Sequence, residues 1–141
     1  RSVPGAIVSI DSMEEPEGSS GPGRRWDWAG PNWREHLRDN GILGLGGAVI
    51  EAKEPGAVAA RWSAVLDRPC HGGTLPEIPL QGSELQFHSA VVADPIFCEF
   101  SLNHTDPAAL LGRAADLGLK TSGSVVDVAG VRMVVRSGTP A

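Results

Sequence analysis

The stretch KEPGAVAARWSAVLDRP, residues 53–69, follows the apolar run LGLGGAVIEA, residues 43–52, and this arrangement occurs twice in the chain. In the second occurrence HTDPAALLGRAADLGL, residues 104–119, follows PIFCEFSLN, residues 95–103. An offset of 52 residues places Pro55 on Pro107 and Arg61 on Arg113. A strand-like run followed by a proline-led helical segment, repeated in this way, indicates a duplicated structural unit.

Each helical segment begins with an acidic residue and a proline, a combination typical of a helix N-terminus. Glu54 and Asp106 are therefore the predicted N-caps of helices over residues 55–66 and 107–117, and Gly118 is the predicted stop of the second helix. Residues spaced three or four positions apart predict the apolar stripe of each helix. The stripes consist of Val58, Trp62, Val65 and Leu66 in the first helix and of Leu110, Ala114 and Leu117 in the second.

Two short extended segments follow each helix. TLPEIPLQG and SELQFHSA, residues 74–90, join at Gln81 and Gly82, and TSGSVVDVAG and VRMVVRSG, residues 121–138, join at Ala129 and Gly130. One such unit alone would leave a face of its small sheet exposed, so two units are expected to pack together. The predicted fold class is α+β, with paired βαββ(β) modules over about residues 43–90 and 95–137. Their curved mixed sheet carries both helices on its outside and leaves a cleft between the modules.

Composition restricts the partners that this chain is expected to bind. The net charge of −5 over 141 residues disfavours nucleic acid, because affinity for nucleic acid depends on neutralising phosphates with Lys and Arg. No apolar stretch approaches the roughly 20 residues that span a bilayer. We therefore expect a cytoplasmic protein with no membrane partner. Cys70 and Cys98 are not part of a CxxC pair and are expected to be reduced thiols in or near the core.

Residues 1–42 differ from the rest of the chain. GAIVSID, residues 5–11, is strand-like, and the chain begins without methionine, so this part is expected to be the tail of an absent upstream portion. The strand is expected to pair with a sheet edge, either within the chain or across a two-fold homodimer. Trp26, Trp28 and Trp33 either hold the following loop against the domain or line a ligand cavity.

The two helix motifs and their order resemble the vicinal oxygen chelate superfamily, which includes glyoxalase I, bleomycin-resistance proteins and extradiol dioxygenases. The resemblance covers about residues 43–137 and is greatest to bacterial glyoxalase-like domains of unassigned function. It implies that any metal would be held by His or Glu on the first strand of each module and by carboxylates or His on the last strands. The first-strand positions fall on Gly47 and Glu99. The last strand of the second module offers only Arg132 and Arg136.

The resemblance therefore implies an incomplete metal site, whose candidate ligands are Glu99, His88 and Glu84. A divalent metal needs about four to six donors. We expect no cofactor on the leading interpretation, and a divalent metal only if a partner module supplies further donors.

Alternation along the strands divides polar from apolar side chains. Glu84, Gln86 and His88 share one face of their strand, with Leu85 and Phe87 on the other. Polar residues on the strand from residue 96 form a second stripe, which is predicted to lie opposite its apolar residues and Cys98. Either these polar faces are simply solvated, or they line the cleft and orient a small polar ligand. The cleft candidates are Glu84, Gln86, His88, Glu99 and Ser101, whereas His36, His71 and His104 are expected to be solvated.

Three functions remain open on this sequence. The first is a metal-free module that binds an unknown small molecule. The second is a metal-dependent lyase, isomerase or dioxygenase, as the resemblance implies. The third is a structural half of a larger two-domain protein. No catalytic residue is assigned in any of them.

Overall fold

The computed structural model describes residues 4–6, 32–36 and 38–138. The chain divides into two compact units, Arg1–Val8 with Gly41–Ala141 and Ser9–Asn40. In the second unit the described residues include a short 3-10 helix, Trp33–His36. The strands and α-helices of the described ranges all belong to the first unit. None of the helices in the described ranges is long and apolar enough to cross a membrane.

Two strand–helix–strand modules follow one another along the chain. The first module contains β1 (Ile42–Ala52), α1 (Pro55–Leu66), β2 (Glu77–Leu80) and β3 (Ser83–Ser89). The second contains β4 (Ile96–His104), α2 (Pro107–Asp116), β5 (Thr121–Ser122), β6 (Val125–Val128) and β7 (Val131–Ser137). The single strand expected at residues 121–130 is thus two strands, because the chain turns at Gly123, where φ is +58°.

The seven strands form one curved mixed sheet in the order β2-β3-β1-β4-β7-β6-β5. The central pair, β1 and β4, is antiparallel, whereas β3 runs parallel to β1 and β7 runs parallel to β4. Apart from the edge strand β5, which has no counterpart in the first module, the order and the directions are therefore symmetric about the β1–β4 pair. The predicted fold class, α+β with paired modules and outer helices, is confirmed.

The strand register reproduces the offset of 52 residues seen in the sequence. Ala48 pairs with Phe100, which is its own equivalent in the second module. On either side of this pair, Gly47 pairs with Ser101 and Val49 pairs with Glu99. An offset of 52 residues exchanges these two pairs, so the pseudo-twofold axis of the duplication passes through Ala48 and Phe100.

Helix α1 covers the first module and forms the larger core. Trp62 lies in the middle of α1 and is 5% exposed, and its ring centroid is 6.4 Å from that of Phe87 on β3. The rest of this core is apolar and comes from the sheet and the helix. It contains Ile50, Ala52, Val58, Ala59 and Ile78.

Helix α2 covers the second module with smaller side chains. Ala114 packs against Val126 and Val135, and Leu110 lies at the border of this cluster. The predicted helix stripes are wrong at one position each. Val65 of α1 and Leu117 are both exposed. In α1 the next residue, Leu66, packs against the core, and Leu117 lies beyond the last residue of α2.

The two helix N-termini differ in the hydrogen bond made by the side chain of the N-cap residue. The Asp106 carboxylate accepts a hydrogen bond from the backbone N–H of Ala109 at 3.0 Å, as expected of an N-cap. Glu54 is the N-cap residue of α1, as predicted, but its side chain makes no such bond. Asp is among the residues preferred at an N-cap, whereas the longer Glu is not. Gly118 follows the end of α2 with φ +77°, which is the conformation predicted for the stop.

The described N-terminal residues lie against the first unit's sheet. Gly5 forms an isolated parallel bridge with Ile96, and the N–H of Phe97 donates to the Gly5 carbonyl at 3.2 Å. The Trp62 indole N–H donates to the Pro4 carbonyl at 2.9 Å. Residues 7–11 of the predicted strand lie outside the described residues.

Candidate functional site: the concave face of the sheet

Four strands present polar side chains on the face of the sheet opposite the helices. Strand register places them together, because paired residues in adjacent strands share a face. Val49 pairs with both Gln86 and Glu99, and Glu99 pairs with Arg132. We call this surface the concave face. Its side chains come from Glu84, Gln86 and His88 on β3, Val49 and Glu51 on β1, Glu99 and Ser101 on β4, and Arg132 and Arg136 on β7.

Arg132 is the centre of one cluster on the concave face. Its Nε lies 3.1 Å from Glu99, and its Nη2 lies 3.3 Å from Glu51. The same Nη2 is 3.5 Å from the Sγ of Cys98. Hydrogen bonds to Glu99 and then to Glu51 raise the pKa of Arg132. One guanidinium therefore neutralises two carboxylates from two different strands.

Cys98 joins this cluster because of an irregularity in β4. Glu99 pairs with Val49 and Phe97 pairs with Ile50, so Cys98 is an extra residue between them. The prediction that Cys98 lies opposite Glu99 is therefore wrong, since both contact Arg132. Burial, and after it the charge of Glu51, raise the pKa of the Cys98 thiol to about 11, although Arg132 lowers it. The thiol is protonated at neutral pH.

A second ion pair crosses the concave face at Arg136. Its Nη1 lies 3.5 Å from Oε1 of Glu84, although β1 and β4 separate the strands that carry the two residues. The Gln86 amide donates to the same Glu84 oxygen at 3.2 Å. Both charged side chains are partly exposed, with 44% of Arg136 and 33% of Glu84 accessible. Beneath the pair, the space bounded by Glu84, Gln86, Glu99, Ser101 and Arg136 is too narrow to admit a water molecule.

Two buried polar atoms near this space have no hydrogen-bond partner among the described residues. They are Oγ of Ser101 and Nε2 of His88. Ser101 is 2% exposed. A buried hydroxyl without a partner costs free energy, and such atoms are uncommon in folded proteins. A ligand in this space would supply the missing partner for Ser101.

The structure thus brings Glu84, Gln86, Glu99 and Ser101 together around one space, and His88 lies on the same face next to Glu51. Trp26 and Trp28 lie outside the described residues, as does the side chain of Trp33.

Two further expectations about single residues are wrong. His104 is 4% exposed, and its Nδ1 accepts a hydrogen bond from the Asp106 backbone N–H at 2.8 Å, so it supports the start of α2. Cys70 is exposed on the loop after α1, where no strand or helix covers it.

Glu51 belongs to the site but was not among the candidates. Alternation from Gly47 through Val49 indicates that Glu51 shares their face, and this signal was sufficient to find it. The role of Arg132 and Arg136 as partners of the acids has no local signal, because each pair joins residues far apart in the chain.

The acidic residues do not fit a resident divalent metal. Arg132 occupies the position equivalent to Glu84, because Gln86 and Val134 pair with the equivalent residues Val49 and Ser101. The four candidate ligand positions related by the pseudo-twofold axis are Gly47 and Glu84 in the first module and Glu99 and Arg132 in the second. One of them is thus a glycine and one is an arginine. The described residues contain no group of three or more His, Cys, Asp or Glu side chains placed to hold a metal ion.

The fold of this chain is similar to that of several solved structures. A methylmalonyl-CoA epimerase from Mycobacterium tuberculosis has a TM-score of 0.52 and 12% identity, over 76% of this chain and 96% of that one. A hypothetical protein from Bacillus halodurans has a TM-score of 0.51 and 8% identity, over 70% and 96%.

A xylose isomerase-like TIM barrel/4-hydroxyphenylpyruvate dioxygenase fusion protein has a TM-score of 0.57 and 15% identity over 68% of this chain. The match covers 19% of the fusion protein. No protein-family model matches the sequence, and no curated protein matches it. The symmetric sheet, the outer helices and these similarities lead to one conclusion about the architecture. The chain has the fold of the vicinal oxygen chelate superfamily, as its sequence motifs predicted.

Proposed function

We propose that this chain is a glyoxalase-like module that binds a small molecule on its concave face without a metal ion. The proposal rests on one observation. The two acidic metal candidates each have an arginine partner, Glu99 with Arg132 at 3.1 Å and Glu84 with Arg136 at 3.5 Å.

Electrostatics explains why these pairs disfavour a metal. A divalent cation at Glu99 would meet the guanidinium of Arg132, and like charges within a few ångströms repel strongly in a partly buried site. Displacing Arg132 would also remove the hydrogen bonds that it makes to Glu51 and Glu99. No side chain at Gly47 offsets this cost.

The same surface has the chemistry of a binding site. Val49 provides an apolar floor, and Gln86 and Ser101 place amide and hydroxyl groups beside it. A mostly apolar floor with a few placed polar groups is typical of small-molecule sites. The partner that we propose is therefore a small organic molecule and not nucleic acid, which would require a surplus of basic residues.

Elemental analysis tests the absence of a resident metal. The protein is purified without chelators and then equilibrated with zinc, nickel, manganese or iron, and metal per chain is measured after desalting. We expect far less than one metal per chain. About one metal per chain, lost in Glu99→Gln and retained in Glu54→Gln, would contradict the proposal and favour the metal-dependent enzyme.

A thermal-shift screen tests binding. A library of neutral, anionic, cationic and zwitterionic small molecules is screened against the chain and against Ser101→Ala. We expect at least one compound to raise the melting temperature of the unmodified chain and to lose this effect in Ser101→Ala. A library without any compound of this kind would contradict the proposal and favour the structural half of a larger protein.

A further inference from the structure

We propose that the ligand of the concave face is a small zwitterion, such as a free amino acid, which separates Glu84 from Arg136 and binds to both. This inference rests on the proposed function and adds the chemical class of the ligand. It depends on three observations, the unpartnered Ser101 hydroxyl, the ion pair that closes the space above it, and the charges that remain when this pair opens.

The Ser101 hydroxyl indicates that a polar group is missing from the space. Ser101 is 2% exposed, its Oγ has no partner among the described residues, and it lines the space beneath Arg136. Hydroxyl groups can donate and accept hydrogen bonds, so a ligand carboxylate there would accept one from Ser101.

The Glu84–Arg136 pair closes the space. It joins β3 to β7 over the two strands between them, and in this arrangement no water molecule fits beneath it. Ion pairs that are this exposed contribute little to stability, so a ligand separates them at small cost. Since Glu84, Arg136 and Ser101 line the same space, we infer that a ligand reaches Ser101 by separating this pair.

Separation leaves one negative and one positive charge facing the ligand. A carboxylate alone would satisfy Arg136 and leave Glu84 unpaired beside a new negative charge. A cation alone would satisfy Glu84 and leave Arg136 unpaired. A molecule that carries both charges replaces both partners, and its carboxylate can also form paired hydrogen bonds with the guanidinium.

The other charges of the concave face do not change this conclusion. Arg132 is engaged by Glu99 and Glu51, so neither of these acids competes for the ammonium group of the ligand. Two glycines of β1 leave room for the ligand beside Ser101 and Glu84. A Cβ at Gly46 would lie 2.8 Å from Oγ of Ser101, and a Cβ at Gly47 would lie 2.8 Å from the Glu84 carbonyl oxygen.

Calorimetry and thermal shift on the full chain test the inference. The probes are glycine and the other free amino acids, with acetate, methylammonium and an equimolar mixture of the two as matched single-charge controls. Ionic strength is held constant, because salt screens partly exposed charges. We expect saturable binding of at least one amino acid and none of acetate, methylammonium or their mixture.

Variants show which residues the zwitterion contacts. Arg136→Gln and Glu84→Gln are each expected to weaken binding by about tenfold or more, and Ser101→Ala is expected to weaken it as well. Arg61→Gln, on the exposed face of α1, is the matched control and is expected to leave binding unchanged. Circular dichroism confirms that each variant is folded.

Two results would overturn the inference. One is that no amino acid binds, or that acetate or methylammonium binds as well as the amino acids. The other is amino-acid binding that persists unchanged in both charge variants. If a neutral or singly charged compound instead binds in a manner that depends on Ser101, the proposed function stands and only the zwitterion is wrong.

Discussion

The two modules share one backbone plan but carry different side chains at equivalent positions of the concave face. Equivalent positions hold Glu84 in the first module and Arg132 in the second, and likewise His88 and Arg136. Two of the three ion pairs on this face join an acid of the first module to an arginine of the second. After duplication, the backbone register was retained while the side chains became complementary. The difference indicates that the concave face now depends on both modules at once.

The modules also differ in the size of their cores. Phe87, Ile50 and Ile78 are fully buried in the first module, whereas Val126 is the comparable residue of the second. The rings of Trp62 and Phe87 add an aromatic contact in the first module. Because buried apolar area contributes most of the stabilisation, the first module is expected to dominate the stability of the domain.

Truncation of a buried side chain in each core tests this difference between the modules and has the largest expected effect on stability. Phe87→Ala should lower the free energy of unfolding by about 3 to 5 kcal/mol, because it removes a fully buried ring and leaves a cavity. Val126→Ala should lower it by about 2 kcal/mol, from two lost methyl groups and a smaller cavity. Urea unfolding measures both. Equal losses in the two variants would show that the modules contribute equally.

The helix caps provide a second comparison of equivalent positions. Asp106→Ala should lower the free energy of unfolding by about 1 kcal/mol, because it removes the hydrogen bond to the Ala109 N–H. Glu54→Ala, at the equivalent position, should change it little, since Glu54 makes no capping bond. Urea unfolding of both variants gives the difference. A larger loss of unfolding free energy in Glu54→Ala than in Asp106→Ala would contradict this prediction.

The charge complementarity between modules is expected to contribute less. Arg132→Gln should lower the free energy of unfolding by about 0.2 to 1 kcal/mol, because 48% of the Arg132 side chain is exposed and the pairs are screened by water. The loss should decrease as salt is added. A double-mutant cycle with Glu51→Gln isolates the Arg132–Glu51 pair that joins the two modules, and Arg113→Gln on α2 is the matched control. A coupling of zero at low salt would show that the arginine does not join the modules electrostatically.

Cys98, in β4 at the start of the second module, makes stability depend on pH only in alkaline solution. Burial raises its pKa from 9.0 to about 11, so the unfolded chain releases the thiol proton at lower pH than the folded chain. The associated stabilisation is complete below about pH 9 and is lost as the pH rises to about 11. Unfolding free energies measured across this interval should therefore decline less steeply in Cys98→Ala. Cys70→Ala, at an exposed site, is the control and should follow the unmodified chain.

Local patterns were sufficient for most of the elements. Proline and its preceding acid marked the first residue of both helices, and α1 spans the predicted residues 55–66. Alternation placed Glu84 and Gln86 on the face opposite Phe87, because side chains in a strand alternate. The failures occur where local rules do not apply. Val65 and Leu117 follow the helical spacing, yet both are exposed, because Leu66 packs against the core next to Val65 and Leu117 lies after the end of α2.

The sequence by itself determined the duplication, its offset of 52 residues, and the polar character of one face of β3 and β4, because these properties depend on residues close together in the chain. Only the tertiary structure decided that Cys98 joins that face, because the extra residue in β4 depends on pairing with β1. It also decided that Arg132 and Arg136 reach Glu51, Glu99 and Glu84. Those pairs form across strands that the fold brings together from distant parts of the chain, and no local pattern encodes such distances.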